Sequence, residues 1–168
     1  MTLSTDSHLG VNLILSRTIG ALPRRTLKNS IMARAMAKQM IFAVLAIFIA
    51  WLILDFLLHR LLLQSAYGTA TLLFRPVDQL NIPLIYLVML TLVLCFVLIY
   101  GLLIEQKSLA SGIKFGVLFG LAISISSGFG TYIHIPVPLG LAWSWFLGGW
   151  IKFITAGALV GIIIKHKP

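Results

Sequence analysis

Residues 40–63 read MIFAVLAIFIAWLILDFLLHRLLL. Crossing about 30 Å of hydrocarbon takes a helix of about 20 mostly apolar residues, and this run supplies them without the polar face that a helix on a soluble core carries. Its ionisable groups, Asp55, His59 and Arg60, gather near its far end. Working outward, three more runs have the same character: residues 82–104, 112–130 and 139–164. Pro83 falls in the first turn of the second run, where its missing N–H costs nothing. The expected fold is therefore all-α, a polytopic transmembrane bundle of four helices over residues 40–168, preceded by a basic tail over residues 1–39.

Composition agrees with a lipid solvent. The 168 residues are 60% hydrophobic and only 10% charged, where soluble domains carry about 25% charged residues. The net charge of +9 would suggest nucleic acid in a soluble protein. Here Arg17, Arg24, Arg25, Lys28, Arg34 and Lys38 all precede the first run, and Lys165 and Lys167 follow the last. No aromatic residues interleave with the basic tail, so a lipid bilayer is the expected partner and nucleic acid is not. Lys107 and Lys114 flank the connection after the second run, whereas Tyr132 to Gly140 holds no Lys or Arg and the connection after the first run holds only Arg75. The positive-inside rule then places both termini in the cytoplasm, with Tyr132, Trp143 and Trp145 at the outer boundary. Arg24-Arg25 stands too far from the first apolar run to serve as a twin-arginine signal. Met32, Met36 and Met40 offer alternative starts within or beside the tail. Cys95 lies in an apolar run, and no C-x-x-C, Cys/His metal spacing or lipidation signal accompanies it, so no cofactor or metal is expected.

Small residues mark the third and fourth runs. Gly112, Gly116, Gly120, Ser124 and Gly128 recur every fourth residue on one helical face. Such a face lets backbones approach closely, either within the bundle or against a second copy. Ser144, Gly148, Lys152 and Ala156 form a comparable row and bring one charge to mid-span. A mid-span ammonium costs at least about 2.5 kcal/mol and requires an anion or a wet cavity. Asp55 is the one acidic residue well within a run. It lies roughly 12 Å inside Leu63, and Lys152 lies roughly 20 Å inside Leu139 on an antiparallel helix, a mismatch that side-chain tilt and the lysine stem can bridge. His59 follows Asp55 by one turn. That spacing lets the carboxylate orient the imidazole, either as part of a paired structural charge or as part of a proton relay or weak metal site, with His134 in the outer loop as a candidate third ligand.

The connection from Gln64 to Asn81 is too apolar for a free loop, with Tyr67, Leu72, Leu73 and Phe74, and either prolongs the first helix or lies along the outer interface, ending at Arg75-Pro76. Ile133-His134-Ile135-Pro136-Val137-Pro138 reads as a stiff turn over the outer end. No G-x-S-x-G serine, phosphate-binding glycine loop or second in-membrane carboxylate appears, so enzymatic chemistry is not indicated.

Leu54-Asp55-Phe56-Leu57-Leu58-His59, the stretch from Tyr67 to Arg75-Pro76, Gly112 to Gly120, and Pro136 and Pro138 before a Trp-rich last run together give the chain its resemblance. Over about residues 40–165 it resembles small bacterial four-helix integral membrane proteins to which no activity is assigned. The resemblance implies the architecture and a bacterial cytoplasmic membrane. Three functional expectations follow from the residues, in order: a non-enzymatic protein that packs with itself or a larger membrane partner, a small transporter or channel-like protein whose polar path is Asp55, His59 and Lys152, and an intramembrane enzyme.

Overall fold

The computed structural model describes residues 24–69 and 73–165. Arg17 and the rest of the tail before Arg24 lie outside the described residues, as do Leu72 and Lys167. Contacts divide the chain into two units, Met1–Lys38 and Gln39–Pro168.

Helix α1 runs over Arg24–Asp55. In the first unit its residues are largely exposed, Leu27 and Ile31 included. The part of the basic tail that is described is thus helical. Leu, Lys, Met, Ala, Arg and Gln are strong helix formers, and no Gly or Pro interrupts them between Arg24 and Met40.

In the second unit α1 passes into a π-helical segment, Phe56–Leu62. Leu63 then leaves helical geometry, with φ −103° and ψ 1°. A short helix α2 follows over Gln64–Thr69, and a 3₁₀ turn over Val77–Gln79. The described part of the connection is thus a short helix set off from α1 by the turn at Leu63, followed by a 3₁₀ turn. Helix α3 spans Ile82–Leu103, started by the Asn81 side chain accepting from the Leu84 N–H and stopped near Ile104, whose carbonyl takes the Lys107 ammonium at 2.8 Å. Helix α4, Leu109–Ile125, begins with a reciprocal Ser108–Ser111 capping box. It continues through a π-helical segment, Ser126–Gly130, into α5, Thr131–His134. The turn at Pro136 and Pro138 leads into α6, Leu139–Ile163.

Among the described residues, four helical stretches are long and apolar enough to cross a membrane: Thr26–Leu62, Ile82–Leu103, Leu109–His134 and Leu139–Ile163. Large apolar side chains stand exposed along them, from Ile49 and Ile53 through Leu87, Val88 and Leu118 to Ile151. In water such a surface would aggregate; in lipid it is the solvated face.

Helices α4 and α6 form the most extensive pairing in the unit. Gly112, Gly116, Gly120, Ser124 and Gly128 are all buried, and all five face α6. A methyl group added to Gly112 or Gly157 would strike the other's carbonyl oxygen, and one added to Gly161 would stand 2.7 Å from the Ser108 carbonyl. Backbones this close gain van der Waals contact that lipid itself does not drive. The α4 row is thus used within the molecule. On α6, however, the matching row is Gly149, Phe153, Gly157 and Gly161. The Ser144, Gly148, Lys152 and Ala156 row is used differently: Gly148 meets Leu58, Lys152 meets Asp55, and Ala156 is buried in the core. Ser144 stays part-exposed and bonds its own helix at Gly140.

Side chains rather than backbone fill the remaining space. Ala43, Ile47 and Trp51 of α1 pack with Val93, Phe96, Val97 and Tyr100 of α3 and with Phe153, Ala156 and Val160 of α6. Phe115 and Phe119 of α4 close this core through ring contacts of 4.6 Å to 5.7 Å centred on Phe96 and Phe153.

Candidate functional site

Asp55 is the last residue of α1, and Lys152 comes from the middle of α6. The Lys152 ammonium reaches both carboxylate oxygens, at 2.6 Å to Oδ1 and 2.7 Å to Oδ2. Trp51, one turn before Asp55, holds the same lysine twice. Its indole N–H donates to the Lys152 carbonyl at 2.9 Å, and its ring lies 4.8 Å beneath the ammonium. A desolvated cation over an indole face gains further attraction. Lys152 is largely buried, whereas Asp55 and His59 keep 32% and 43% of their side-chain surface.

His59 lies in the π-helical segment, with Nε2 3.9 Å from Asp55 Oδ1. That is an ion-pair separation and is too long for a hydrogen bond. Its other nitrogen, Nδ1, is 2.7 Å from the Tyr67 hydroxyl, and the Trp145 N–H is 2.7 Å from the same oxygen. An indole N–H can only donate, so the Tyr67 oxygen accepts from Trp145. With a neutral His59 protonated on Nε2, the Tyr67 hydroxyl donates to Nδ1 and the Nε2–H lies on the side of Asp55. Burial is the main reason the Tyr67 phenol titrates above its usual value, with Asp55 adding to the shift and the Trp145 bond opposing it. Its hydroxyl therefore keeps its proton under ordinary conditions.

Helix α2 exists locally to deliver Tyr67. Leu63 turns the chain, and Leu63, Val137 and Leu141 form a small apolar base on which Ala66, Tyr67, Phe74 and Trp145 sit. Phe74 packs edge-on against both Tyr67 and Trp145. The turn at Pro136 and Pro138 is thus fastened to the cluster through Val137.

The structure brings Asp55, His59 and Lys152 together, as the charge requirement of Lys152 predicts. His134 has a different engagement, its Nδ1 lying 2.8 Å from its own helix's Gly130 carbonyl. No three His, Cys, Asp or Glu side chains converge as metal ligands among the described residues. Sequence reasoning missed Trp51, Tyr67 and Trp145. A signal was present: Trp51 precedes Asp55 by four residues and Trp145 precedes Lys152 by seven, each on the same helical face. Tyr67 had no such signal, because the turn at Leu63 that redirects it is not written in periodicity.

Chemically, the cluster is a fixed charge pair joined through an imidazole to a phenol and an indole. It ends at Trp145, a donor that passes nothing on. Below Lys152, toward Ser108, lies the apolar core of Ala43, Ile47, Ala156 and Val160, all fully buried. No protein-family model matches the chain, and neither a curated protein nor a solved structure matches it.

Proposed function

We propose that the protein is a non-enzymatic multi-pass protein of a bacterial cytoplasmic membrane, with both termini in the cytoplasm, that works by binding a larger membrane partner. One observation carries this reading: the charged cluster is open on its flank and closed beneath. The half-exposed Asp55 and His59 stand beside the exposed apolar residues Ile53, Phe56 and Leu57. A carboxylate and an imidazole at that depth are poorly served by lipid and well served by polar groups on another helix. Beneath them the fully buried apolar core supports binding over conduction. A photo-crosslinking residue placed at Phe56 in living cells is expected to give a discrete protein adduct. An adduct with lipid alone overturns the reading, and an adduct made only of a second copy turns it to self-association.

The string from Lys152 through Asp55 and His59 to Tyr67 favours a second reading, a small transporter with a polar path. Proteoliposomes loaded with a pH-sensitive dye separate the two. Binding alone predicts proton flux no faster than in empty vesicles, whereas a flux abolished by Asp55→Asn establishes the path.

A further inference from the structure

Tyr67 is the only residue of α2 whose side-chain hydrogen bonds join it to both α6 and the π-helical end of α1 among the described contacts. We propose that His59, Tyr67 and Trp145 form a proton-sensitive latch that holds α2 against α6 while His59 is neutral and releases it when His59 takes a proton. This goes beyond the partner-binding reading and does not depend on it.

The hydrogen-bond inventory drives the latch. With His59 neutral and its proton on Nε2, the Trp145 and Tyr67 protons each have an acceptor: Trp145 gives to Tyr67, and Tyr67 gives to Nδ1. When Nδ1 takes a proton from solvent, it becomes a donor. The imidazolium and the indole then both aim N–H groups at one phenol oxygen, and the Tyr67 proton loses its acceptor. At the same moment Nε2–H becomes part of a cation 3.9 Å from Asp55 Oδ1. Closing that gap to a charge-assisted bond of about 2.8 Å draws the ring away from Tyr67.

The groups that face His59 all bear on this step. Asp55, on α1, attracts the imidazolium. Lys152, on α6, opposes it and already occupies both carboxylate oxygens. Tyr67, on α2, stays protonated and cannot compensate with a negative charge. Arg60 is the next residue in the π-helical segment and is exposed. His59 is itself part-exposed, so protons reach it without unfolding the bundle. The apolar base of Leu63, Val137 and Leu141 needs no charge, so release loosens α2 without dissolving the fold.

Spin labels at Ser65→Cys and Gly140→Cys, in a Cys95→Ser background, report the α2 to α6 distance. Ser65 is exposed, and a side chain at Gly140 meets nothing within 4 Å. In reconstituted protein the distribution is expected to be narrow at about pH 8 and longer and broader at about pH 5. His59→Gln, which can still accept from Tyr67 but cannot titrate, is expected to stay narrow at both. Tyr67→Phe is expected to be broad at both. An unchanged wild-type distribution overturns the latch, as does a pH response that persists in His59→Gln. So does a Tyr67→Phe protein that still closes at high pH, or a loss of far-ultraviolet helicity that accompanies the change.

Discussion

An ammonium carried to the middle of a helix as apolar as α6 needs its charge matched, and Lys152 is matched by one carboxylate and one indole face. Removing one partner of a fully buried pair costs about 3–5 kcal/mol. Asp55 keeps about a third of its surface, so solvent screening reduces this. Lys152→Met is expected to lower stability by about 1–3 kcal/mol in reversible detergent unfolding, and the Asp55→Asn/Lys152→Met pair to recover most of it. A double variant as unstable as the single one would show that the pair is not what holds α1 to α6 there. Ser124 presents the reverse case. Its hydroxyl is fully buried against the Gly149 position, with no hydrogen-bond partner among the described residues. Ser124→Ala is therefore expected to be neutral or to stabilise by up to about 1 kcal/mol in the same unfolding measurement. The contact between Asp55 and Lys152 was legible beforehand because an in-membrane charge demands an opposite charge and only one acid was within reach. Tyr67 was not legible, since a tyrosine in an apolar connection reads as an interfacial anchor until the turn at Leu63 is known.

At the level of elements, the glycine rows separate two kinds of packing. Where α4 meets α6 at Gly112, Gly116, Gly157 and Gly161, backbone touches backbone. Where α1 and α3 join, large side chains, Trp51, Phe96 and Tyr100, make up the shared core. Gly116→Ile and Gly157→Ile are each expected to cost several kcal/mol, because the added atoms meet main chain that cannot move aside. Leu118→Ile, on the exposed side of α4, is expected to change stability by less than about 0.5 kcal/mol. If the Gly116 and Gly157 variants instead kept full stability and only lost oligomer mass in detergent, the α4 face would belong to a second copy. The four-residue spacing on α4 was readable in the sequence. On α6 two rows of mostly small residues lie one position apart, and periodicity cannot say which meets α4. The structure assigns Gly149, Gly157 and Gly161 to α4 and Gly148 and Lys152 to α1. The two π-helical segments were not readable either, because one extra residue in a helical turn leaves no compositional mark.

For the whole molecule, orientation is the next property to measure. With Cys95 replaced by Ser, a cysteine at Val77 is expected to react with a membrane-impermeant maleimide in intact cells, and one at Gln106 only after permeabilisation. The opposite pattern would reverse the assignment of both termini. Four apolar helices were legible from length and hydropathy alone, whereas the helical start at Arg24 was masked by its charge, although its residues favour a helix. The sequence separation of 97 residues between Asp55 and Lys152 has a consequence for how the protein is made. Chains elongate at about 5–20 residues per second, so the carboxylate leaves the ribosome about 5 to 20 s before the lysine that neutralises it. During that interval the newborn first helix lacks the ammonium that Asp55 meets in the finished bundle. Biosynthesis, and not only the finished bundle, must provide it with shelter.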